Sequence, residues 1–282
     1  MFQLAVASGK GGAGKTTVST SLAKALAGRR AVQYLDCDVE APNGHLFLKP
    51  EFRQSIPVTR WVPRIDHRLC EHCGKCSEFC QYSALVSMPR QTIVYPEMCR
   101  GCGGCKDICP AGAISEVERQ VGTVQLGMAG SISFVHGELR VREIATVPMV
   151  RAVRRQANGA ELVILDAPPG TSCPMVASVR GVDAVLLVTD PTPFALHDLK
   201  LTVEVIRELE LRAGVVLNRA ALADAKVEEY CDLAELPIWG RIPDDRRIAE
   251  AYSEGEMPYE AVPAMRDSVD ALAETIEREV MA

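Results

Sequence analysis

Apolar residues in this chain fall into short continuous runs separated by longer stretches of helical period. Phe2–Ala7, Ala31–Asp36, Leu162–Leu165, Ala184–Val188, Ala213–Leu217 and Pro237–Ile242 are such runs. They do not alternate with polar residues, which is the pattern of strands buried on both faces. Between them, Val18–Ala27, Val147–Gln156 and Ala195–Glu210 read as helices, and Asp245–Glu254 and Val262–Val280 close the chain as two more. Val121–Met128 and Ser131–Val135 read as further strands, with turn glycines at Gly122, Gly127, Gly130 and Gly137. Strands alternating with helices predict an α/β fold, a doubly wound and mostly parallel sheet.

The pattern breaks in the middle of the chain. Pro50, Pro57 and Pro63 mark a boundary. Beyond it stand two cysteine quartets, Cys70, Cys73, Cys76, Cys80 and Cys99, Cys102, Cys105, Cys109. The second repeats the first at a constant offset, so the segment is an internal repeat. The expected organisation is a discontinuous large domain, residues 1–60 and 117–282, with a small insert at 61–116. The insert has few large apolar residues, so bound metal is expected to stabilise it.

Polar motifs stand at the ends of the apolar runs, on the ligand edge of a doubly wound sheet. After the first run comes Ser8-Gly9-Lys10-Gly11-Gly12-Ala13-Gly14-Lys15-Thr16-Thr17. Glycines between a strand and a helix let backbone N–H groups converge on phosphate oxygens, and the helix dipole adds positive potential. Lys15 is expected to reach the β- and γ-phosphates, and the Thr16 hydroxyl a Mg²⁺ ion. The second run ends in Asp36-Cys37-Asp38, and the strand at Leu162–Leu165 leads into Asp166-Ala167-Pro168-Pro169-Gly170-Thr171. An aspartate after an apolar strand suits a Mg²⁺ water shell. Asn218-Arg219 and Pro243-Asp244 follow two later strands.

Composition narrows the chemistry. The 282 residues are 48% hydrophobic with a net charge of −6. That balance weighs against general nucleic-acid binding, which leaves a basic footprint. No apolar run approaches the roughly 20 residues of a membrane span. A phosphate loop beginning at residue 8 leaves no room for a signal peptide, so a cytoplasmic location is expected. Eleven cysteines in a reducing compartment point to metal binding rather than disulfides. Each quartet has the bacterial ferredoxin spacing for a [4Fe–4S] cluster, in which the fourth cysteine ligates the other cluster. One cluster is then expected on Cys70, Cys73, Cys76 and Cys109, and the other on Cys99, Cys102, Cys105 and Cys80. Zinc is the competing reading of a C-x₂-C pair. Gln81 replaces the proline that follows Cys109 in the second quartet.

Lys10 makes the loop K-G-G-x-G-K-T-T, which resembles the deviant Walker A loop of the MinD/ParA/nitrogenase iron protein class. The Asp166–Thr171 stretch resembles switch II of the Mrp/MinD-like ATPases, and Asp36–Asn43 resembles switch I. The whole layout resembles MinD-superfamily P-loop ATPases that contain an inserted ferredoxin domain. The resemblance implies an ATPase, slow without its partner, that binds ATP and Mg²⁺ through Gly9, Gly11, Gly12, Ala13, Gly14, Lys15, Thr16 and Thr17. It implies that Lys10 reaches the nucleotide of a partner subunit. Asp38 would orient the attacking water, and Asp36, Asp38 and Asp166 would support the metal. Asn218 would contact adenine, with Arg219, Pro243 and Asp244 beside the base. Cys173 follows switch II, where the iron protein has a bridging-cluster ligand, but a buried free thiol is the preferred reading. Cys37 and Cys231 are expected to be packed thiols. The acidic stretch Asp267–Ala282 would be repelled by anionic lipid, so no membrane anchor is expected.

Three functions are compatible with these residues. The first is an ATP-dependent dimer switch, as a homodimer or with a related ATPase, that couples hydrolysis to electron transfer to a redox or metalloprotein partner. The second is a cluster assembly or insertion ATPase. The third is a MinD/ParA-like positioning switch.

Overall fold

Along β1 (Phe2–Ala7), Leu4 and Val6 pack into one apolar layer and Ala5 and Ala7 into another. The same division holds along β2 (Val32–Asp36), with Tyr34 in the first layer and Leu35 in the second. A strand buried on both faces needs no alternation, which is why these segments read as unbroken apolar runs. The computed structural model describes residues 1–220 and 225–281. Ala282, within the acidic C-terminal stretch, lies outside the described residues.

Helix α1 (Lys15–Ala27) follows β1 and packs Val18, Leu22 and Leu26 into the first layer. After β2 come a short α2 (Gly44–Leu48) and then β3 (Glu51–Ile65), a long strand where the prolines predict a boundary. The cysteine segment holds α3 (Lys75–Phe79), the hairpin of β4 (Leu85–Met88) and β5 (Gln91–Val94), and α4 (Gly104–Asp107). The chain returns through β6 (Ile114–Ala129) and β7 (Ile132–Leu139), both longer than their apolar runs. The rest alternates: α5 (Thr146–Arg154), β8 (Leu162–Asp166), α6 (Cys173–Val179), β9 (Ala184–Thr189) and α7 (Pro193–Glu208). Then come β10 (Ala213–Ala220), α8 (Ala225–Leu233), β11 (Ile238–Pro243), α9 (Arg246–Ser253), α10 (Pro258–Ala261) and α11 (Pro263–Thr275). A π-helical turn, Ile276–Val280, ends the last helix.

The nine-stranded sheet has the order β11-β10-β9-β1-β8-β2-β7-β6-β3. Pairings from β11 to β7 are parallel, and β7–β6 and β6–β3 are antiparallel. β3 is the edge strand, so Pro57 and Pro63 fit there: one side of its backbone needs no donor for a neighbour. β3 and β6 pair from Glu51↔Met128 to Ile65↔Ile114, forming a ribbon that runs through the expected junctions at residues 60 and 117. Packing changes along it. Val58, Val121 and Val124 join the second apolar layer, while Val62, Ile65, Ile114 and Val117 pack with Ala84, Leu85 and the cysteines.

The ribbon is braced at its midpoint. Arg60, buried on β3, donates to the carbonyls of Cys99 and Pro96, the latter at 2.8 Å, and to Glu143 at 2.6 Å. Arg119 on β6 reaches Glu143 at 3.3 Å and Glu97 at 3.0 Å. One ionic network therefore ties the second cysteine loop to the segment entering α5. At the other end, Met265, Val269, Leu272 and Ile276 bury the closing helix in the first layer. Glu277 accepts hydrogen bonds from Arg29 and Arg30. No described helix is long and apolar enough to cross a membrane.

Candidate nucleotide site and cysteine cavities

The loop after β1 is shaped by two glycines that a side chain cannot replace. Gly14 sits at φ 89, and a Cβ there would strike the Asn218 amide. Gly9 passes so close to α7 that a Cβ would lie 2.6 Å from the Asp198 backbone. The loop borders a cavity of about 460 Å³. Lys10, Gly11, Gly12, Gly14, Lys15, Thr16 and Thr17 line it, with Asp38, Asn218, Arg219, Pro243 and Asp244. Gly9 and Ala13 are not among the lining residues; Ala13 is buried behind the loop. Asn43 and Pro169, from the second and third motifs, also line it, and so do Asp245, Arg246, Ile248, Ala249 and Tyr252, which sequence reasoning missed. Most belong to the start of α9, whose only signal was its position after the last strand.

Under the loop lies a buried charge cluster. Asp36 and Asp166 are register partners at the ends of β2 and β8, and both are fully buried. Lys15 Nζ lies 2.6 Å from Asp166 Oδ1, and the Tyr34 hydroxyl donates to Asp166 Oδ2 at 2.9 Å. Burial alone would lower the Lys15 pKa, but Asp166, with Asp36 and Asp38 behind it, raises it instead. Asp36 accepts from the Gly44 N–H at 2.9 Å and the Asp38 N–H at 3.1 Å. Even so, burial and the nearby Asp166 push its carboxyl upward. Asp38 is pushed up to about 6, mainly by burial, with Asp166 and Glu40 adding to it. Acids held near neutrality beside a single lysine are short of positive charge. Oxygen donors of this kind suit Mg²⁺, which keeps several waters and takes one or two carboxylates.

The other parts of the motifs are tied inward. Asn218 Nδ2 donates to the Ala13 carbonyl at 2.8 Å, bracing the loop from β10. Gly170, at φ 85, donates its N–H to the Ser8 carbonyl at 2.9 Å, joining the third motif to the first. Lys10 Nζ sits 2.9 Å from Asp190 and 3.2 Å from the Thr192 hydroxyl, within its own chain.

The cysteines border two further cavities. Cys70, Cys73, Cys76 and Cys109 line one of about 20 Å³. Cys99, Cys102, Cys105 and Cys80 line the other, of about 310 Å³. Each cavity thus takes three cysteines from one repeat and the fourth from the other. Left-handed residues recur at matching places, His72 with Gly101 and Gly74 with Gly103, and wrap each loop before its short helix. Among the described residues, no three His, Cys, Asp or Glu side chains converge as a single-ion site. The cysteines surround spaces instead, and four thiols about a space are the donor set of an iron–sulfur cube. The donor chemistry fits at both sites; the room differs, about 310 Å³ at the second against about 20 Å³ at the first. Cys37 and Cys231 are buried, whereas Cys173, expected to be a buried thiol, is exposed at the start of α6.

Comparison with known proteins agrees with the phosphate-loop fold. Residues 4–259 match the CobQ/CobB/MinD/ParA nucleotide binding domain. The chain is 35% identical over 225 residues to Uncharacterized protein MJ0578 of Methanocaldococcus jannaschii, spanning 79% of each. It is 24% identical over 284 residues to an iron-sulfur cluster carrier protein of Pyrococcus horikoshii, spanning 94% of this chain and 82% of that one. Its fold resembles the septum site-determining protein MinD of Pyrococcus horikoshii, solved with Mg-ADP. The TM-score is 0.61 at 19% identity, over 98% of this chain and 96% of that one.

Proposed function

The chain belongs to the CobQ/CobB/MinD/ParA nucleotide-binding family, and from that premise we propose an ATP-dependent dimer switch that gates electron transfer through two [4Fe–4S] clusters. The observation that carries this reading is the sharing of the quartets, since each cavity draws its fourth cysteine from the other repeat.

The phosphate loop, through its backbone N–H groups, Lys15 and Thr16, would hold the ATP phosphates. Binding requires Lys15 to leave Asp166 for the β- and γ-phosphates, which frees Asp166 and Asp36 toward the water shell of Mg²⁺. Asp38, raised to about 6 and acting in its ionised form, would accept a proton from the attacking water as the γ-phosphoryl is transferred to that water, giving ADP and phosphate. Lys10 would exchange Asp190 for the nucleotide of a second subunit. Arg219, Pro243 and Asp244 would flank the base, with Asn218 at its edge.

Cys70, Cys73, Cys76 and Cys109 would hold one cluster, and Cys99, Cys102, Cys105 and Cys80 the other; such clusters supply one-electron couples. The ribbon and the Arg60–Glu143 brace connect this segment to the ATPase body. Dimer closure could therefore move it toward a redox partner. Anaerobic EPR with iron and sulfide analysis tests the assignment. The expected content is two [4Fe–4S] clusters per chain, with one signal altered in Cys73→Ser and the other in Cys102→Ser. A single bound zinc or no cluster overturns it.

Cluster delivery is the second reading, favoured by the similarity to proteins named iron-sulfur cluster carriers. It predicts ATP-dependent transfer of radiolabelled iron to an apo acceptor protein. Retention of the label on this chain through ATP turnover excludes it.

A further inference from the structure

Two repeats with the same cysteine spacing need not hold equivalent groups, and the side chains around these two differ. His72 occupies the place of Gly101, and both are left-handed, at φ 54 and 71. At Gly101 the backbone N–H donates to Cys99 Sγ at 3.3 Å. At His72 the ring reaches the equivalent sulfur, with Nδ1 3.6 Å from Cys70 Sγ. Thr92 Oγ1 also lies 3.6 Å from Cys70 Sγ and 3.2 Å from His72 Nδ1. Ser87 Oγ lies 3.2 Å from Thr92 Oγ1 and 3.4 Å from the His72 carbonyl, which closes the network.

Thr92 is 3% exposed. It comes from β5, outside both cysteine loops, so the β4–β5 hairpin brings a hydroxyl to one sulfur of the first set. Among the described residues no side-chain donor reaches a sulfur of the second set. The second cavity is mostly apolar, with Trp61, Phe79, Tyr82 and Leu85 in its wall; Gln81, Arg100 and Glu116 also border it, but Arg100 lies over the Tyr82 ring and donates to the Ile144 carbonyl rather than to a sulfur.

We propose that Thr92 and His72 are positioning residues that raise the reduction potential of the group on Cys70, Cys73, Cys76 and Cys109 above that of its neighbour. The inference rests on the cluster reading given above. A ligating thiolate only accepts hydrogen bonds, so His72 is assigned the Nδ1–H tautomer and the Thr92 O–H is turned toward the sulfur, which points both dipoles at it. Reduction adds one negative charge to the cluster and its ligands, and these dipoles stabilise that charge. Thr92 acts from a buried site, where such dipoles are poorly screened. The first set is therefore the resting place of the first electron taken from a reductant, and the apolar second set is the stronger donor.

The test is a redox titration of the anaerobically purified full chain with dithionite, followed by EPR. The wild type is expected to show two midpoints, with Cys73→Ser altering the higher one and so assigning it. Thr92→Val, of similar shape, is expected to cut the reduced-to-oxidised ratio at that potential at least tenfold, about 59 mV for a one-electron couple. The lower midpoint stays in place, and Thr92→Ser restores the higher one. Should Thr92→Val fail to fold, His72→Leu is expected to move the same midpoint in the same direction. Equal wild-type midpoints, or variants that move neither midpoint or both alike, overturn the inference. A wild-type chain that binds no [4Fe–4S] cluster overturns the cluster reading itself.

Discussion

The Lys10 ammonium lies 2.9 Å from the Asp190 carboxylate, a residue 180 positions away at the end of β9. Thr192, which caps α7, also contacts that ammonium. Burial acts against ionisation of Asp190, but its bonds from Thr192 and Lys10 outweigh that and hold its pKa low. The lysine proposed to reach a partner's nucleotide is thus held inside its own subunit by a fixed counter-charge.

Asp190→Asn removes that counter-charge and keeps an acceptor for Thr192. We expect ATP-dependent dimers to form at about tenfold lower protein concentration, the equivalent of about 1.4 kcal/mol. Lys10→Ala should abolish dimerisation while leaving ATP binding intact. Sedimentation velocity with ATP and with ADP measures both.

The two members of the Lys15–Asp166 pair predict separate effects, one on binding and one on stability. Lys15→Ala should abolish measurable ATP binding by calorimetry. Asp166→Asn leaves a buried ammonium with a weaker partner, and loss of one member of a buried pair costs about 3–5 kcal/mol. Denaturant unfolding without nucleotide should show that loss, and saturating Mg²⁺-ATP should recover part of it by mass action.

The raised acids give a pH dependence with a definite sign. Asp38 titrates at about 6 in the folded chain against 3.8 ordinarily, and Asp36 is shifted in the same direction. The folded chain therefore binds these protons more tightly than the unfolded chain. Unfolding free energy must fall as pH rises through this range. Thermal unfolding in EDTA should show that fall, and excess Mg²⁺ or Asp38→Asn should flatten it. ATP hydrolysis should move the other way, rising with pH as Asp38 ionises.

The brace on the ribbon makes a prediction about motion. Arg60→Met leaves Glu143 with Arg119 as its charged partner and removes the guanidinium from the carbonyls of Pro96, Glu97 and Cys99. We expect a loss of about 3 kcal/mol, and hydrogen exchange over residues 96–105 should rise well above that of β1. Unchanged exchange there would show that the brace does not hold the cysteine loop.

What the chain discloses as a sequence depends on how local the determinant is. The phosphate loop lies within ten consecutive residues, and the quartets carry their spacing on their face. The two-sided burial of β1 and β8 made them readable as apolar runs. β3 was not readable, because an edge strand tolerates the prolines that elsewhere end one. Pairings across long separations were equally silent: nothing near Lys10 announces Asp190, and nothing near Cys70 announces Thr92. The cavity wall from α9, including Arg246 and Tyr252, forms only because β11 delivers that helix beside the loop. Cys173 was expected to be buried; it stands at the exposed first turn of α6, where the preceding turn leaves it uncovered.

The central claim is that ATP bound by the phosphate loop times electron release from the cysteine segment. The most direct measurement is anaerobic electron flux from the dithionite-reduced chain to a low-potential acceptor, with ATP, with ADP and in Lys15→Ala. Flux is expected to require ATP and to be lost in Lys15→Ala while the [4Fe–4S] EPR signals persist. Equal flux under all three conditions would contradict it.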